Sequence, residues 1–163
     1  QTVAELKGEE WHEEINPEIN VDIPAYLPED FISDIDVRLN LYRRLSSLRE
    51  EAELTVMIEE MKDRFGLPPV EVSNLVAVMS VRLLLKKTGV NKLDVSNDAL
   101  TFTFSPESHV EPEKVVNLVE RDPNRFQFLS ERKLKVKIDE KPSLDALLEA
   151  IWITKELDRA LDI

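Results

Sequence analysis

The stretch Glu59-Glu60-Met61-Lys62-Asp63-Arg64-Phe65-Gly66-Leu67-Pro68-Pro69 decides how this chain folds, because it ends one predicted helix and begins another. Gly66 can take the left-handed conformation that closes a helix, and Pro68-Pro69 can open the next helix but cannot continue one. The preceding apolar residues fall on one stripe at helical spacing, namely Leu54, Met57, Ile58 and Met61. The sequence therefore predicts a sharp helix-to-helix corner at Gly66-Leu67.

The face of the first helix opposite this stripe is strongly acidic. It carries Glu53, Glu59, Glu60 and Asp63, with Val56 among them. Glu60 and Asp63 are three residues apart, so we expect both to project freely from neighbouring turns. One interpretation is a solvated face, which is typical of an acidic protein. The other is a docking surface for a positive partner, with Val56 as its small apolar centre.

The segments before and after this corner complete a set of helices. Apolar residues surround the helix predicted from Pro69 to Lys87, so we expect that helix at the centre of the fold. An earlier helix is predicted from Ser33, which forms a capping-box pattern with Asp36. Its apolar stripe is Val37, Leu41, Leu45 and Leu48. Its cations Arg43, Arg44 and Arg49 are interpreted as compensating the helix dipole and pairing with nearby glutamates, in preference to binding phosphate.

Alternating segments predict a small sheet. A short strand at Val21–Ile23 is followed by one hairpin over Lys92–Val95 and Leu100–Phe104. After a short helix from Pro112 to Glu120, a second hairpin turns one face of alternating apolar residues inward, and Ser143 is expected to cap a last helix. The second strand of this second hairpin carries Lys133, Lys135 and Lys137 on one face, and we interpret that face as solvated. The predicted fold is a single α+β domain of about five helices, with a small antiparallel sheet built from two hairpins and the N-terminal strand.

Composition limits the classes of function. The 163 residues include 33 acids and 21 bases, and the resulting formal charge of -12 opposes nucleic-acid phosphates and anionic membranes. The chain has no cysteine and only three isolated glycines, and neither His12 nor His109 belongs to a metal or nucleophile motif. We therefore expect no catalytic, metal or cofactor site in this chain. Residues 1–17, which include Trp11, are predicted to form an acidic linker or arm, and 18–163 the folded domain.

The chain resembles a known family in four segments that follow one another in order. They are Ile23-Pro24-x-x-Leu27-Pro28-x-Asp30-Phe31-Ile32, Asp36-x-Arg38-Leu39-x-x-Tyr42-x-Arg44-Leu45, Glu60-x-x-Asp63-Arg64-Phe65-Gly66-x-x-Pro69, and Gly89-x-x-Lys92-Leu93 with His109-Val110-x-Pro112. Together they are similar to the C-terminal domain of bacterial transcription-repair coupling factors.

This resemblance implies a regulatory role. In the family, the domain follows an ATP-driven DNA translocase that removes stalled RNA polymerase and recruits the damage sensor UvrA. The domain is expected to pack on the N-terminal UvrA-binding module until polymerase engagement releases it. The resemblance assigns that contact to Glu60 and Asp63, and it implies a cytoplasmic protein whose ATP site lies in other domains. The alternatives are a nucleic-acid-binding accessory domain using Arg38, Arg43, Arg44 and Arg49, or an independent enzyme.

Overall fold

The computed structural model describes residues 16–106, 108, 112–139, 142 and 144–159. The helices are α1 (Ile35–Ser47), α2 (Glu51–Phe65), α3 (Val70–Thr88), α4 (Pro112–Arg121) and α5 (Leu144–Arg159). The strands are β1 (Glu18–Asn20), β2 (Val90–Val95), β3 (Ala99–Phe104), β4 (Phe126–Ser130) and β5 (Lys133–Lys137). The predictions on Trp11, His12, His109 and Ser143 lie outside the described residues. The predicted α+β domain is confirmed, with five helices and a five-stranded sheet in the described part of the chain.

The strands form one sheet in the order β1-β2-β3-β5-β4. Both predicted hairpins are present, and β3 pairs with β5 to join them. The predicted N-terminal strand at Val21–Ile23 was misplaced, since the pairing residues are Glu18–Asn20 and their pairing with β2 is parallel. The sheet is therefore mixed and not wholly antiparallel. Val21 and Ile23 instead pack on the core after the strand has ended, which explains their apolar alternation.

Helix α3 lies between two groups of buried side chains, as its all-round apolar pattern predicts. On one side Ala77, Val81 and Leu85 pack with the sheet and α5. On the other side Val72, Leu75 and Leu83 pack with the apolar stripes of α1 and α2. Neither α3 nor another helix in the described residues is long and apolar enough to cross a bilayer.

The helices begin and end close to the predicted positions, but the conformation of Gly66 and the residue that caps α1 differ from the prediction. Gly66 follows α2 with φ 90° and ψ −165°, so its φ is positive as expected, but its ψ is extended and not left-handed. Gly89 closes α3 in the left-handed conformation. Asp34, and not Ser33, caps α1, because its Oδ1 accepts from the backbone N–H groups of Asp36 at 2.8 Å and Val37 at 3.2 Å.

Candidate protein interface on helix α2

Helix α2 has a buried face and an outward face, which its apolar spacing sets. Leu54, Met57 and Met61 are buried against α1 and α3. The outward face carries an acidic ridge, which we define as Val56, Glu59 and Asp63, all exposed. These positions are three and four residues apart, so they lie along one line of the helix surface. Val56 is 68% exposed, which is unusual for a large apolar side chain in the middle of a helix.

Glu60 is held by two arginines of the same domain. Its carboxylate accepts from Arg44 Nη1 at 2.5 Å and Arg44 Nη2 at 2.8 Å, a bidentate pair, and from Arg64 Nη1 at 3.3 Å. The expectation that Glu60 projects freely was therefore wrong. The interpretation of Arg44 as a partner for a nearby glutamate is confirmed.

The ion pair changes the acidity of Glu60. The hydrogen bonds from Arg44 lower the pKa of the Glu60 carboxyl from 4.5 to about 2, with a smaller contribution from Arg64, although partial desolvation opposes the shift. The same contact raises the pKa of Arg44. Glu60 is therefore a fixed, fully ionised carboxylate at neutral pH.

Glu53 belongs to the start of the helix and not to a docking surface. Its Oε1 accepts from the backbone N–H groups of Arg49 at 3.1 Å and Glu50 at 3.0 Å. Together with the Glu50 side chain this forms a capping box, in which two donors of the first turn are satisfied. Glu53 was predicted to lie on the acidic face, and its capping role was not predicted.

The carboxylates of the ridge are more available. Glu59 lies 3.7 Å from Lys62 Nζ, an exposed pair that solvent screens strongly. Asp63 has no hydrogen-bond or ion-pair partner in the part of the chain that the structure describes. Beyond the helix end, Leu67 is 89% exposed and Val70 is 60% exposed. The exposure of these two residues was not predicted, although Leu67, which lies between Gly66 and Pro68, has no helix face to occupy and can be expected at the surface.

Two of the four arginines that the nucleic-acid alternative would use are engaged in contacts within the domain. Arg38 Nη1 donates to the backbone oxygens of Ile32 at 2.7 Å and Ser33 at 3.2 Å, where it ties the preceding loop to α1. Arg44 is paired with Glu60. Arg43 and Arg49 are exposed. Among the described residues there is no group of three or more histidines or carboxylates that could hold a metal ion.

Known proteins match the chain over most of its length. The TRCF domain family model matches residues 21–115. The transcription-repair-coupling factor of Haemophilus influenzae is 32% identical over 118 residues, covering 72% of this chain and 10% of the relative. That of Escherichia coli is 32% identical over 130 residues, covering 73% and 11%. The chain thus spans about a tenth of the length of these relatives.

A solved structure shares the fold. The crystal structure of the C-terminal domain of transcription-repair coupling factor matches with a TM-score of 0.79 at 20% identity, covering 91% of this chain and 95% of that chain. The family model covers more than half of the sequence, and the structural match spans nearly the whole domain. The chain therefore belongs to the TRCF domain family, the C-terminal domain of bacterial transcription-repair coupling factors.

Proposed function

We propose that this chain is a regulatory interaction domain that packs on the N-terminal UvrA-binding module of its own protein and hides the surface that recruits UvrA. The observation that carries the proposal is the acidic ridge, where Val56, Glu59 and Asp63 are all exposed beside a fixed Glu60. Family membership supports it, since Glu60 and Asp63 stand at the positions to which the resemblance assigns this contact. RNA polymerase and DNA act on the domain only through the rest of the protein.

The carboxylates of this surface have different roles in the proposal. Asp63 and Glu59 reach outward and pair with basic side chains of the module. Glu60 accepts three hydrogen bonds from Arg44 and Arg64, and a carboxylate has about four acceptor positions, so one position remains for a partner donor. Because Arg44 holds Glu60 in one orientation, little side-chain entropy is lost when a partner binds it.

Release follows from competition for the same basic groups. If the module presents to this domain the cations that it presents to UvrA, the two contacts exclude each other. Exposed charge pairs at the rim of an interface contribute little, whereas a desolvated pair costs about 2–5 kcal/mol when one member is truncated. We call the contact between this domain and the module the clamp. A clamp made of a few charge pairs can hold the module and still open when another part of the protein moves.

The test is binding in trans between this domain and the separately produced N-terminal module, followed by fluorescence anisotropy. Reversing the ridge charges with Glu59→Lys and Asp63→Lys is expected to weaken binding about tenfold or more, equivalent to about 1.4 kcal/mol. The matched control is Glu131→Lys with Asp139→Lys, an equal charge change at exposed residues outside α2. Equal weakening by both pairs would show that only net charge matters, and the docking site would have to lie elsewhere.

A further inference from the structure

Helix α5 exposes two large apolar side chains on its outward face. Its inward residues are all buried, namely Ala146, Leu147, Ala150, Ile153 and Thr154. On the opposite side of the helix, Leu148 is 51% exposed and Trp152 is 52% exposed. These two residues are four positions apart, so their side chains are neighbours on the helix surface. Tryptophan is one of the residues that contribute most binding energy at protein interfaces, so this face has the composition of a contact surface.

A charged residue lies at each end of this apolar pair. Asp145 and Lys155 are both exposed, and neither has a hydrogen-bond or ion-pair partner within the described residues. Asp145, Leu148, Trp152 and Lys155 follow one another at intervals of three, four and three residues. That spacing is typical of the line along which two helices pair. We define these four residues as the α5 seam.

The α5 seam is symmetric about its own middle. Asp145 and Lys155 are each five residues from position 150, and Leu148 and Trp152 are each two residues from it. In an antiparallel pair of α5 helices with a two-fold axis at that level, Asp145 of each copy faces Lys155 of the other. Leu148 of each copy then faces Trp152 of the other. A surface that matches itself in this way fits an isologous contact, in which both copies use the same residues.

We propose that this domain pairs with a second copy of itself through the α5 seam, with the two helices antiparallel. The residues that flank the seam near the two-fold axis allow this approach. Glu149 is paired with Arg125 of its own chain, which reduces its repulsion of the other copy. On the other flank, Ile151 is apolar and half-buried. Charge and apolar matching therefore select the same occupant for this face.

The proposed pairing is independent of the proposed function. Helix α5 packs with the sheet on one side of α3, whereas α2, which carries the acidic ridge, packs on the other side. Pairing through α5 therefore leaves the acidic ridge free. Failure of either proposal does not affect the other.

The seam is short, so the pairing is expected to be weak and reversible. From Asp145 to Lys155 the helix is only about 15 Å long. The exposed parts of Leu148 and Trp152 offer roughly 200 Å² of apolar surface in each copy. Stable protein interfaces bury about 1,200–2,000 Å² in total, so the seam belongs at the small, transient end of this range.

The test is sedimentation equilibrium of the full 163-residue chain at concentrations from about 10 μM to 1 mM. The mean mass of the unaltered chain should rise with concentration from monomer toward dimer. Asp145→Lys brings two lysines together at each end of the seam, and Lys155→Asp brings two carboxylates together. Each change should weaken association about tenfold or more, equivalent to about 1.4 kcal/mol. An equimolar mixture of the two single variants recreates opposite charges at both ends and should restore association.

The matched controls lie in the β4–β5 hairpin. Glu131→Lys makes the same charge change as Asp145→Lys at an exposed residue, and Leu129→Ala truncates a leucine that is 51% exposed. Neither control should weaken association. Asp145→Lys and Glu131→Lys both lower the net negative charge, which by itself favours association, so weakening by Asp145→Lys alone would report the seam.

Trp152→Ala gives a second test that does not change charge. It should remove association over the same concentration range, because the tryptophan supplies most of the apolar contact. Circular dichroism and thermal melting show that each variant is folded. A monomer at every concentration would overturn the proposal. A dimer that survives Trp152→Ala, or folded charge variants whose mixture does not associate, would also overturn it.

Discussion

At the scale of single residues, Glu60 shows most clearly what folding adds to the sequence. Its spacing from Asp63 places both on one helix, but only the packing of α1 against α2 brings Arg44 to within 2.5 Å of it, sixteen residues away in the chain. Reversing Glu60 to lysine would place three cations together, so such a change would disturb the fold as well as any interface. Asp63 and Glu59 are therefore the better positions for testing docking.

The Glu60 ion pair predicts a specific pH dependence of stability. Its pKa is about 2 in the folded protein against an ordinary value of 4.5, so its contribution is fully present above about pH 4.5 and is lost as the pH falls toward 2. Glu60→Gln should lower the urea midpoint at pH 7, and the difference from the unaltered protein should shrink below pH 4.5. Asp63→Asn is the control and should change the midpoint little at either pH. A pH-independent difference for Glu60→Gln would contradict the assigned ion pair.

Gly66 gives a second prediction at this scale. Its φ of 90° with ψ of −165° is a conformation that side-chain-bearing residues almost never adopt. Gly66→Ala should therefore lower the free energy of unfolding by about 1–3 kcal/mol, although a Cβ there would contact no other atom. Denaturant unfolding measures this cost. No loss of stability would mean that the corner between α2 and α3 can close in another conformation.

At the scale of elements, the sequence predicts the structures that local apolar periodicity controls. It does not predict a strand whose pairing partners are distant in the chain. The helices and both hairpins follow from apolar spacing, and α3 is central because it is apolar on every side. Strand β1 was misplaced because it is three residues long, and its pairing with Lys92 and Asp94 spans more than seventy residues. Asp34 and Ser33 are both good caps at adjacent positions, so the sequence alone does not distinguish them.

The central position of α3 can be tested with two leucines that face opposite sides of it. Leu83 packs with α1 and α2, and Leu85 packs with the sheet. Leu83→Ala and Leu85→Ala should each cost about 2–5 kcal/mol of unfolding free energy. Val70→Ala, at an exposed position, should change it by less than about 0.5 kcal/mol.

Each leucine substitution should lower the midpoint of one unfolding transition that the whole domain shares, because the two groups of buried side chains are joined through α3. Amide signals of Leu41 in α1 and Leu93 in β2 report the two sides separately. If Leu83→Ala shifted only the Leu41 transition, the molecule would consist of two independently folding units.

At the scale of the whole molecule, net charge and the occupied arginines lead to a prediction about nucleic acid. The chain carries a formal charge of -12, and Arg38 and Arg44 are engaged within the domain. We expect no binding of DNA by the isolated domain at physiological salt, since phosphate contacts need available cations. An anisotropy titration with micromolar, salt-dependent affinity would contradict this and would favour the accessory nucleic-acid role.

The proposed clamp is tested most directly by the affinity of UvrA for the full-length protein that contains this domain. The unaltered protein is compared with Glu59→Lys and Asp63→Lys, and with the control pair Glu131→Lys and Asp139→Lys, with thermal melting to show that each domain is folded. Masking by the acidic ridge predicts that the ridge reversal raises UvrA affinity, by about tenfold for a loss of about 1.4 kcal/mol of clamp energy, and that the control does not. Unchanged affinity in the folded ridge variant would show that the ridge is a solvated surface and that the domain does not mask UvrA binding through it.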